Sequence, residues 1–307
     1  MRLLHNTNFD FIGKRKIAYV ISAVMLFVGL GSMAIRGFHY GIDFKGGTEI
    51  VLRFQEPVEI AKIRAIASSV EISGVIKEFG NPKEVMITTD FSGDLNDLQG
   101  RLETGLKREL AQNPFEILKI DAVGPTIAND LKLSAVYALL GALVIILIYV
   151  SFRFEFKFAA AGVFAIFHDV LFVAGLFSLF GGVFSFMSLE VDLTVIAAFL
   201  TIVGYSITDT VVVYDRIREN LKIRKTEPYE KVFNDSLNET LSRTIITSGT
   251  VLLSVLVLFI FGGSIIRSFA FAMLIGIFVG TYSSIFIASA IVLDWQEKSG
   301  EKIKLRG

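Results

Sequence analysis

The sequence predicts a polytopic α-helical membrane protein with one small α+β domain outside the bilayer. Of its 307 residues, 53% are hydrophobic, and the mean hydropathy of +0.61 is well above that of ordinary soluble domains. Six stretches are long and apolar enough to cross about 30 Å of hydrocarbon, which takes about 20 residues. Between the first and the second stretch lies a segment of ordinary polarity, which predicts the separate domain.

The positions of lysine and arginine predict the orientation. Basic residues cluster before the first stretch, in FRFEFK, in RIRENLKIRK and in the tail, which all fall on one side of a six-span protein. We therefore expect both termini in the cytoplasm and the domain on the outer side of the membrane. The six stretches are Ile17–Ile35, Leu133–Phe152, Phe158–Phe180, Leu193–Tyr214, Thr244–Ile266 and Ser268–Leu293.

These stretches divide the chain into consecutive regions. The predicted regions are a cytoplasmic N-terminus (1–16), a first transmembrane helix (17–36), an extracytoplasmic domain (37–130), a five-helix transmembrane region (131–293) with a cytoplasmic loop at 215–240, and a cytoplasmic tail (294–307). GKRK followed by an apolar run and Ser32-Met33-Ala34 is also the pattern of a cleavable signal peptide. Its apolar run is long for a signal and Arg36 follows directly, so we expect an uncleaved first helix.

The domain reads as alternating strands and helices. Strands are predicted at Thr48–Phe54, in VIKEFG, in EVMITT and at Phe115–Val123, with a turn at Asn81-Pro82. One helix follows Pro57, and a longer one begins at Leu95 with Asp94 as its N-cap. The order βαββαβ is the ferredoxin-like plan, for which about 80 residues suffice. The domain contains no phosphate loop and no nucleophile–base pair, so it is predicted to be a binding or docking module.

Charge and cysteine usage exclude several classes of function. The 30 basic and 30 acidic residues give a net charge of +0, so no positive field points to nucleic acid. The absence of cysteine excludes disulfides, thiolate metal sites and cysteine nucleophiles. The three histidines, His5, His39 and His168, have no metal-ligand spacing. We therefore expect a chain that is not an enzyme and holds no metal or cofactor.

The fourth apolar stretch contains an aspartate well inside the predicted span. Asp209 lies roughly 9 Å from the helix end at Asp215. It shares one helix face with Thr194, Thr201, Tyr205 and Thr208, and such a polar stripe must face protein or water rather than lipid. Intramembrane carboxylates often mark ion pathways, although a carboxylate at a wet helix end with no role is the plainer alternative.

A second stripe on the fifth span carries a positive charge at a similar depth. Arg243, Thr247, Thr250 and Ser254 share one face of a helix that begins well before Arg243. Because the fourth and fifth spans are antiparallel neighbours, Asp209 and Arg243 can pair, and protonation of Asp209 would then couple to helix movement. The alternative is that Arg243 reaches to the cytoplasmic surface along its own side chain.

Three further features are weaker. His168 and Asp169 lie halfway along the third span, where they either relay protons or hydrogen-bond to neighbouring helices as a structural pair. Asp192 is predicted to cap the fourth span. The sixth span carries a ridge of small residues that faces either its own bundle or a partner chain, namely Ala272, Gly276, Gly280, Ser284 and Ala288.

Several motifs together resemble one family. GIDFKGGT, VGPTIANDLKLSA, FRFEFKFA, VGYSITDTVVVYDRIREN and NETLSRTIITSGT occur in the order typical of the SecF family, the membrane subunits of the SecD–SecF complex of protein secretion. The resemblance covers nearly the whole chain. It implies half of a bundle of the resistance–nodulation–division (RND) type, and a translocase subunit that uses the ion gradient to assist late preprotein translocation and release on the outer side. Asp209 would be the ion-coupling residue, with Arg243 and Thr247 as partners.

The resemblance also implies partners. These are SecD in a second chain, because the sequence has no SecD portion, the SecYEG channel, the translocating preprotein and, as a further candidate, YajC. Thr208 stands where many relatives have Asn, which leaves the polarity around Asp209 open. Two alternatives remain: an RND-type exporter of lipids or small molecules, for which the domain is small, and a passive assembly scaffold. The residues do not decide between protons and sodium ions.

Overall fold

A computed structural model describes residues 7–90, 93–183 and 189–300 of the chain. The first helix, α1 (Arg15–Arg36), leads into the α+β domain. The elements of the domain are α2 (Ile42–Lys45), β1 (Gly47–Phe54), α3 (Ile60–Ser69), β2 (Val75–Phe79), β3 (Asn81–Thr89), α4 (Leu95–Glu109) and β4 (Phe115–Val123). Apart from the short α2, this is the βαββαβ order that the sequence predicts.

The four strands form one antiparallel sheet in the order β2-β3-β1-β4. Alternation along β1 sends Ile50 and Leu52 to the face covered by α3 and α4, and sends Val51 to the opposite face. Asp94 caps α4 as predicted, because its side chain accepts a hydrogen bond of 2.9 Å from the backbone of Asn96. The predicted turn at Asn81-Pro82 is wrong: β3 begins at Asn81, and the chain reverses at Gly80, whose φ is +84°.

The remaining chain forms the rest of the membrane bundle. Its helices are α5 (Pro125–Arg153), α6 (Phe156–Phe180), α7 (Leu193–Ile223), α8 (Tyr229–Phe261), α9 (Ser264–Ser283), a π-helical turn (Ser284–Ala288) and α10 (Ser289–Ser299). The last three run on as a single span. The described part of the chain thus contains six helices that are long and apolar enough to cross a membrane, as predicted.

Most of the segment predicted as a loop at 215–240 is helical. Only residues 224–228 lie between the ends of α7 and α8. The two extensions form a polar helical hairpin closed by ion pairs, since Arg224 binds Asp235 at 2.7 Å and Glu239 at 2.9 Å. Amphipathic continuations of both spans therefore replace an irregular loop.

The two ends of the bundle carry different structures. Arg15 at the start of α1 binds Glu230, Asp294 and Glu297, so it joins α1 to α8 and α10. We call this end, with the α7–α8 connection, the terminal side, and the other end the domain side. Residues 1–6 and 301–307, which are part of the predicted N-terminus and tail, lie outside the described residues, as do residues 91–92 and 184–188.

The domain is fastened to the start of α7 through α2. The Asp43 carboxylate accepts a hydrogen bond of 2.9 Å from the backbone of Leu193, and Gly41 donates to the carbonyl of Val191 at 3.0 Å. The glycines of GIDFKGGT serve the turn from α2 into β1. Gly47 has a φ of +118°, and a Cβ there would lie 2.9 Å from the carbonyl oxygen of Thr89. This turn explains why the motif precedes a strand.

Candidate functional site

Asp209 lies on α7, where that helix meets α8 and the last span. The hydroxyl of Thr244 on α8 donates to its Oδ1 at 2.9 Å. The hydroxyl of Ser284, at the start of the π-helical turn, donates to its Oδ2 at 2.6 Å. The carboxylate is half-buried and links three spans through hydroxyl groups.

Arg243 does not form the expected ion pair with Asp209. Among the residues that the structure describes, no salt bridge within 4.0 Å joins the two side chains, although Arg243 is near enough to act on Asp209 through its charge. Thr244 takes the position beside Asp209 because successive residues of a helix point about 100° apart. Thr244 is buried against α7, whereas Arg243 is exposed. Thr244 rather than Arg243 therefore contacts Asp209, and the predicted direct pairing is wrong.

The two polar stripes form a face that this chain leaves uncovered. Arg243, Thr247, Thr250 and Ser254 are all exposed along α8, as are Thr194, Thr201 and Thr208 on α7. Several of the hydroxyls donate to carbonyls of their own helix, such as Thr208 to Gly204 at 2.9 Å. Tyr205 instead turns towards Ser248 on α8. The predicted grouping is therefore present, and its outer side is open.

An open cavity leads from the terminal side towards this face. It has a volume of about 710 Å³ and lies between α7 and α8. Val212 and Arg243 line it at the inner end, one helical turn from Asp209 and beside Thr244, respectively. Most of its other charges are paired, as in Arg216 with Glu239 at 2.5 Å and Arg153 with Asp215 at 2.7 Å. Arg243 has no salt-bridge partner within the described chain.

His168 and Asp169 lie in the centre of the bundle. Asp169 is 0% exposed and His168 is 3% exposed, and the Nδ1 of His168 lies 3.0 Å from Oδ1 of Asp169. Ser206 on α7 and Ser283 on α9 each donate to Oδ2 of Asp169 at 2.7 Å. Asp169 therefore joins three helices, of which α7 and the last span also contribute to the site of Asp209.

The ridge of small residues on the last span faces this chain's own bundle. A Cβ on Gly276 would lie 2.2 Å from Cδ1 of Ile202, and one on Gly280 would lie 3.2 Å from Cβ of Ser206. Ser284 of the same ridge binds Asp209. The small side chains thus let the last span approach α7 closely enough for serine hydroxyls to reach both carboxylates.

Sequence reasoning did not identify the four hydroxyl groups that donate to Asp169 and Asp209, which belong to Ser206, Thr244, Ser283 and Ser284. Serine and threonine are common in membrane helices as small packing residues, so their presence alone is not informative. Thr244 stands in the LSRT part of a quoted motif and Ser284 in the small-residue ridge. A usable signal is their alignment with an intramembrane carboxylate on a neighbouring span. Asp192 caps α7 as predicted, accepting from the backbone of Val195 at 2.8 Å.

Comparison with known proteins identifies relatives along the whole chain. Residues 104–298 match the family described as protein export membrane protein SecD/SecF, C-terminal, and residues 31–58 match the SecD/SecF GG motif. The chain is 46% identical to the protein translocase subunit SecF of Rhodothermus marinus, over 99% of both chains. It is 39% identical to SecF of Escherichia coli O157:H7, over 93% of this chain and 87% of the relative.

Solved structures agree with these relatives. The crystal structure of SecDF from Thermus thermophilus, described as a translocon-associated membrane protein, matches with a TM-score of 0.82 and 39% identity. The match covers 95% of this chain but 39% of that one, so the chain spans about two fifths of SecDF. The chain is a multi-pass membrane protein that belongs to the SecF family of protein translocase subunits.

Proposed function

We propose that the chain is a subunit of a SecD–SecF complex that uses the transmembrane proton gradient to assist late preprotein translocation and release. Asp209 is the ion-coupling residue, with Arg243 and Thr247 on its open side. The observation that carries this proposal is the surroundings of Asp209: a carboxylate at membrane depth, held by two hydroxyls of neighbouring spans, beside an arginine that has no salt-bridge partner among the described residues. Intramembrane carboxylates of this kind commonly belong to ion pathways.

The chemistry follows from what each neighbour can do. Thr244 and Ser284 donate to ionised Asp209, and each hydroxyl oxygen can accept from Asp209 once it is protonated. The charge of Arg243 favours the ionised form only. Protonation therefore removes an attraction between α7 and α8 while the hydroxyl contacts persist, which lets α8 move relative to α7. The cavity between these helices gives ions access from the terminal side.

The orientation and the location belong to the same proposal. Both termini lie in the cytoplasm, the protein lies in the bacterial inner membrane, and the α+β domain is periplasmic. The support is the distribution of lysine and arginine, which are concentrated at the start of α1, the α7–α8 connection and the tail. The outer side is then where the domain assists the emerging preprotein.

SecD is the partner that covers the uncovered face of α7 and α8. Lipid does not satisfy an exposed arginine and a row of hydroxyls at membrane depth, whereas a second protein bundle or water does. The SecDF relative of Thermus thermophilus carries this chain's counterpart within a longer chain, of which 40% is matched. We propose that SecYEG, the preprotein and YajC contact the resulting complex.

The test is gradient-driven secretion by the complete SecD–SecF complex in membrane vesicles with SecYEG. A pH gradient and a sodium gradient are imposed separately on the wild type and on Asp209→Asn. We expect the pH gradient to stimulate preprotein release in the wild type and to have no effect in Asp209→Asn. Asp215→Asn is the matched control, because Asp215 lies on the same helix but pairs with Arg153 at the rim of the cavity.

Two results would contradict the proposal. A full response of Asp209→Asn to the pH gradient, at normal protein level, would exclude Asp209 as the coupling residue and favour a passive scaffold. A response of the wild type to sodium alone would exclude protons as the coupled ion.

A further inference from the structure

Asp169 is bound in a way that resembles Asp209. Both carboxylates lie inside the bundle, and each accepts hydrogen bonds from serine or threonine hydroxyls of two other helices. Asp169 also contacts its neighbour His168. No lysine or arginine in the described part of the chain lies within salt-bridge distance of either aspartate. Two carboxyl sites with the same kind of partner therefore share α7 and the last span.

Consecutive residues of the last span connect the two sites. Ser283 donates to Asp169 at 2.7 Å, and Ser284 donates to Asp209 at 2.6 Å. The π-helical turn begins at Ser284, and the hydroxyl of Ser289 donates to the Ser284 carbonyl at 2.8 Å. π-Helical turns inside α-helices are frequent at functional sites. Because the two serines are adjacent, a displacement of the backbone at the start of the π-helical turn moves both hydroxyls.

Each of these serines has a second acceptor within reach. The Ser283 hydroxyl lies 3.1 Å from the carbonyl oxygen of Gly280, and the Ser284 hydroxyl lies 3.0 Å from that of Thr281. A hydroxyl has one hydrogen to donate and two lone pairs that accept. When a carboxylate takes up a proton, its new O–H can donate to the serine oxygen while the serine hydrogen turns to the backbone carbonyl. Each serine thus offers a complete set of hydrogen bonds to both forms of its aspartate.

We propose that Asp169 is a second proton-binding site, and that Ser283 and Ser284 couple its protonation to that of Asp209. The proton comes from a hydronium ion: one O–H bond of hydronium breaks and leaves water, and the O–H bond of the carboxylic acid forms. When one serine turns its hydrogen from the aspartate to the carbonyl one turn earlier, the strengthened hydrogen bond bends the helix at the start of the π-helical turn and displaces the adjacent serine. This inference rests on the proposed function in assigning ion coupling to Asp209, and it adds a second site to the same pathway.

The charges around the two sites differ. On α6, His168 is the titratable neighbour of Asp169. Asp209 faces Tyr205 on its own helix and Arg243 on α8. Tyr282 on α9 donates to the carbonyl of Ala18 at 2.9 Å and lies 3.1 Å from the Ser22 hydroxyl, so it turns to α1. Arg243 lies beside Asp209 on the open face, whereas Asp169 is enclosed without such a charge among its described neighbours.

A line of polar groups leads from Asp169 towards the terminal side. Ser206, Thr210 and Tyr214 follow one another at helical spacing on α7. The hydroxyls of Thr210 and Tyr214 and the Nε2 of His168 are buried without a hydrogen-bond partner in the described structure. Buried polar atoms normally have partners, and ordered water is a common one. This line gives a proton a polar route to Asp169 through the interior of the bundle.

The test is a titration of carboxyl groups by infrared spectroscopy on the full chain in complex with SecD. The signal is the carbonyl stretch of protonated carboxyl groups, compared between the wild type, Asp169→Asn and Asp209→Asn. We expect each single variant to lose one titrating group. The remaining group should titrate with a proton affinity changed by about fivefold or more, and by the same factor in both variants, as reciprocal coupling requires.

Two serine variants separate coupling from packing. Ser283→Ala removes one hydroxyl of the connection and should abolish the mutual shift. Ser178→Ala is the matched control, because Ser178 is an equally buried serine that donates to the carbonyl of Gly37 at 2.7 Å, away from both aspartates. It should leave both titrations unchanged. If Asp169→Asn does not fold, Asp209→Asn and Ser283→Ala still report on Asp169 directly.

Two outcomes would overturn this inference. Loss of all intramembrane carboxyl titration in Asp209→Asn alone would mean that Asp169 binds no proton. Two independent titrations, unchanged by Ser283→Ala, would mean that the serines do not couple them. Neither outcome depends on secretion, so a failure here differs from a failure of the gradient-driven function, which is measured by preprotein release.

Discussion

The α+β domain and the membrane bundle hold their carboxylates with different partners. In the domain and at its contact with the bundle, three glutamates are bound by cations: Glu49 binds Lys119 at 3.0 Å, Glu84 binds Arg53 at 2.9 Å, and Glu190 binds Lys77. Inside the bundle, Asp169 and Asp209 are bound by serine and threonine hydroxyls. The same chemical group therefore has two kinds of surroundings in one chain.

The difference determines which form of the carboxylate its partners stabilise. Lysine and arginine donate hydrogen bonds and cannot accept them, so they stabilise the ionised carboxylate alone. A hydroxyl both donates and accepts, so it serves the ionised and the protonated form. Cation-bound carboxylates are therefore suited to holding a domain in place. Hydroxyl-bound carboxylates are suited to taking up and releasing protons.

The largest expected effect on stability is in the domain. Glu84 is buried, and its contact with Arg53 links β1 to β3. Glu84→Gln should destabilise the sheet by about 1.5–3 kcal/mol, the value of a hydrogen bond to a charged group. Hydrogen exchange of β1 and β3 measured on the full chain should then be about ten- to a hundredfold faster. The response of secretion to the pH gradient should not change.

Glu116→Gln is the control for this variant, because Glu116 lies opposite Arg53 on β4 but is exposed. Equal exchange rates in both variants would mean that the buried pair with Arg53 contributes nothing. Loss of the gradient response in Glu84→Gln would mean that a cation-bound carboxylate of the domain also takes part in ion coupling.

The second expected effect is in the bundle, and it should change gradient-driven release rather than the stability of the domain. Thr244→Val keeps the shape of the side chain but removes the hydroxyl that donates to Asp209 at 2.9 Å. One lost hydrogen bond corresponds to about 1 kcal/mol, so we expect gradient-driven release to fall by about fivefold. Thr281→Val is the control, because that hydroxyl donates to the carbonyl of Ile277 rather than to a carboxylate. Equal rates in the two variants would argue against hydroxyl coupling.

Much of this architecture could be predicted from the sequence. Hydropathy identified all six spans, and the strand β4 was predicted with its observed limits, Phe115–Val123. Span ends were less accurate, since α7 continues past Tyr214 to Ile223. Hydropathy falls where a helix leaves the hydrocarbon, but the helix itself continues as long as its polar residues find partners.

The candidate site was predictable in its residues but not in its contacts. A carboxylate among apolar residues is conspicuous, so Asp209 and Asp169 were identified directly. Their partners depend on how three helices are rotated, and a difference of about 100° exchanges Thr244 for Arg243. The π-helical turn at Ser284 leaves no mark in the sequence, because its residues, SIFIA, include no proline or glycine that would interrupt an α-helix. Contacts across helices therefore required the structure.

The smallest expected effect concerns the pH dependence of the domain. Burial raises the pKa of Glu49 above its usual range, although Lys119 opposes this and Glu190 adds to it. Burial alone would lower the pKa of Lys119, but Glu49 and Asp121 together raise it. The raised pKa of Glu49 means that folding disfavours its charged form, whereas the raised pKa of Lys119 means that folding favours its charged form. The two partners of one contact therefore disagree. We give Glu49 more weight, because its side chain is 8% exposed, against 32% for Lys119, which also has Asp121 as a second partner.

The sign for Glu49 follows from its raised pKa. The folded domain binds the proton more tightly than the unfolded chain, so this contribution to stability is fully present below the ordinary pKa of 4.5. It is lost as the pH rises through the pKa of the folded state. Lys119 changes its charge only in alkaline solution and contributes nothing to this window. In the wild type, protection of β1 and β4 against hydrogen exchange, corrected for the intrinsic rate, should therefore decrease over mildly acidic pH.

Glu49→Gln should remove that decrease, because glutamine does not titrate. We expect a change below about 1 kcal/mol, since the contact with Lys119 is partly open to solvent. Asp121→Asn is the matched control, because Asp121 binds the same lysine at 3.1 Å but is exposed. A decrease that persists in Glu49→Gln would assign the pH dependence to another group. Glu49 is the cation-bound carboxylate whose burial raises its pKa against the effect of its own ion pair with Lys119. If Glu49 does not titrate in this range, the titrating carboxyl group lies elsewhere in the domain.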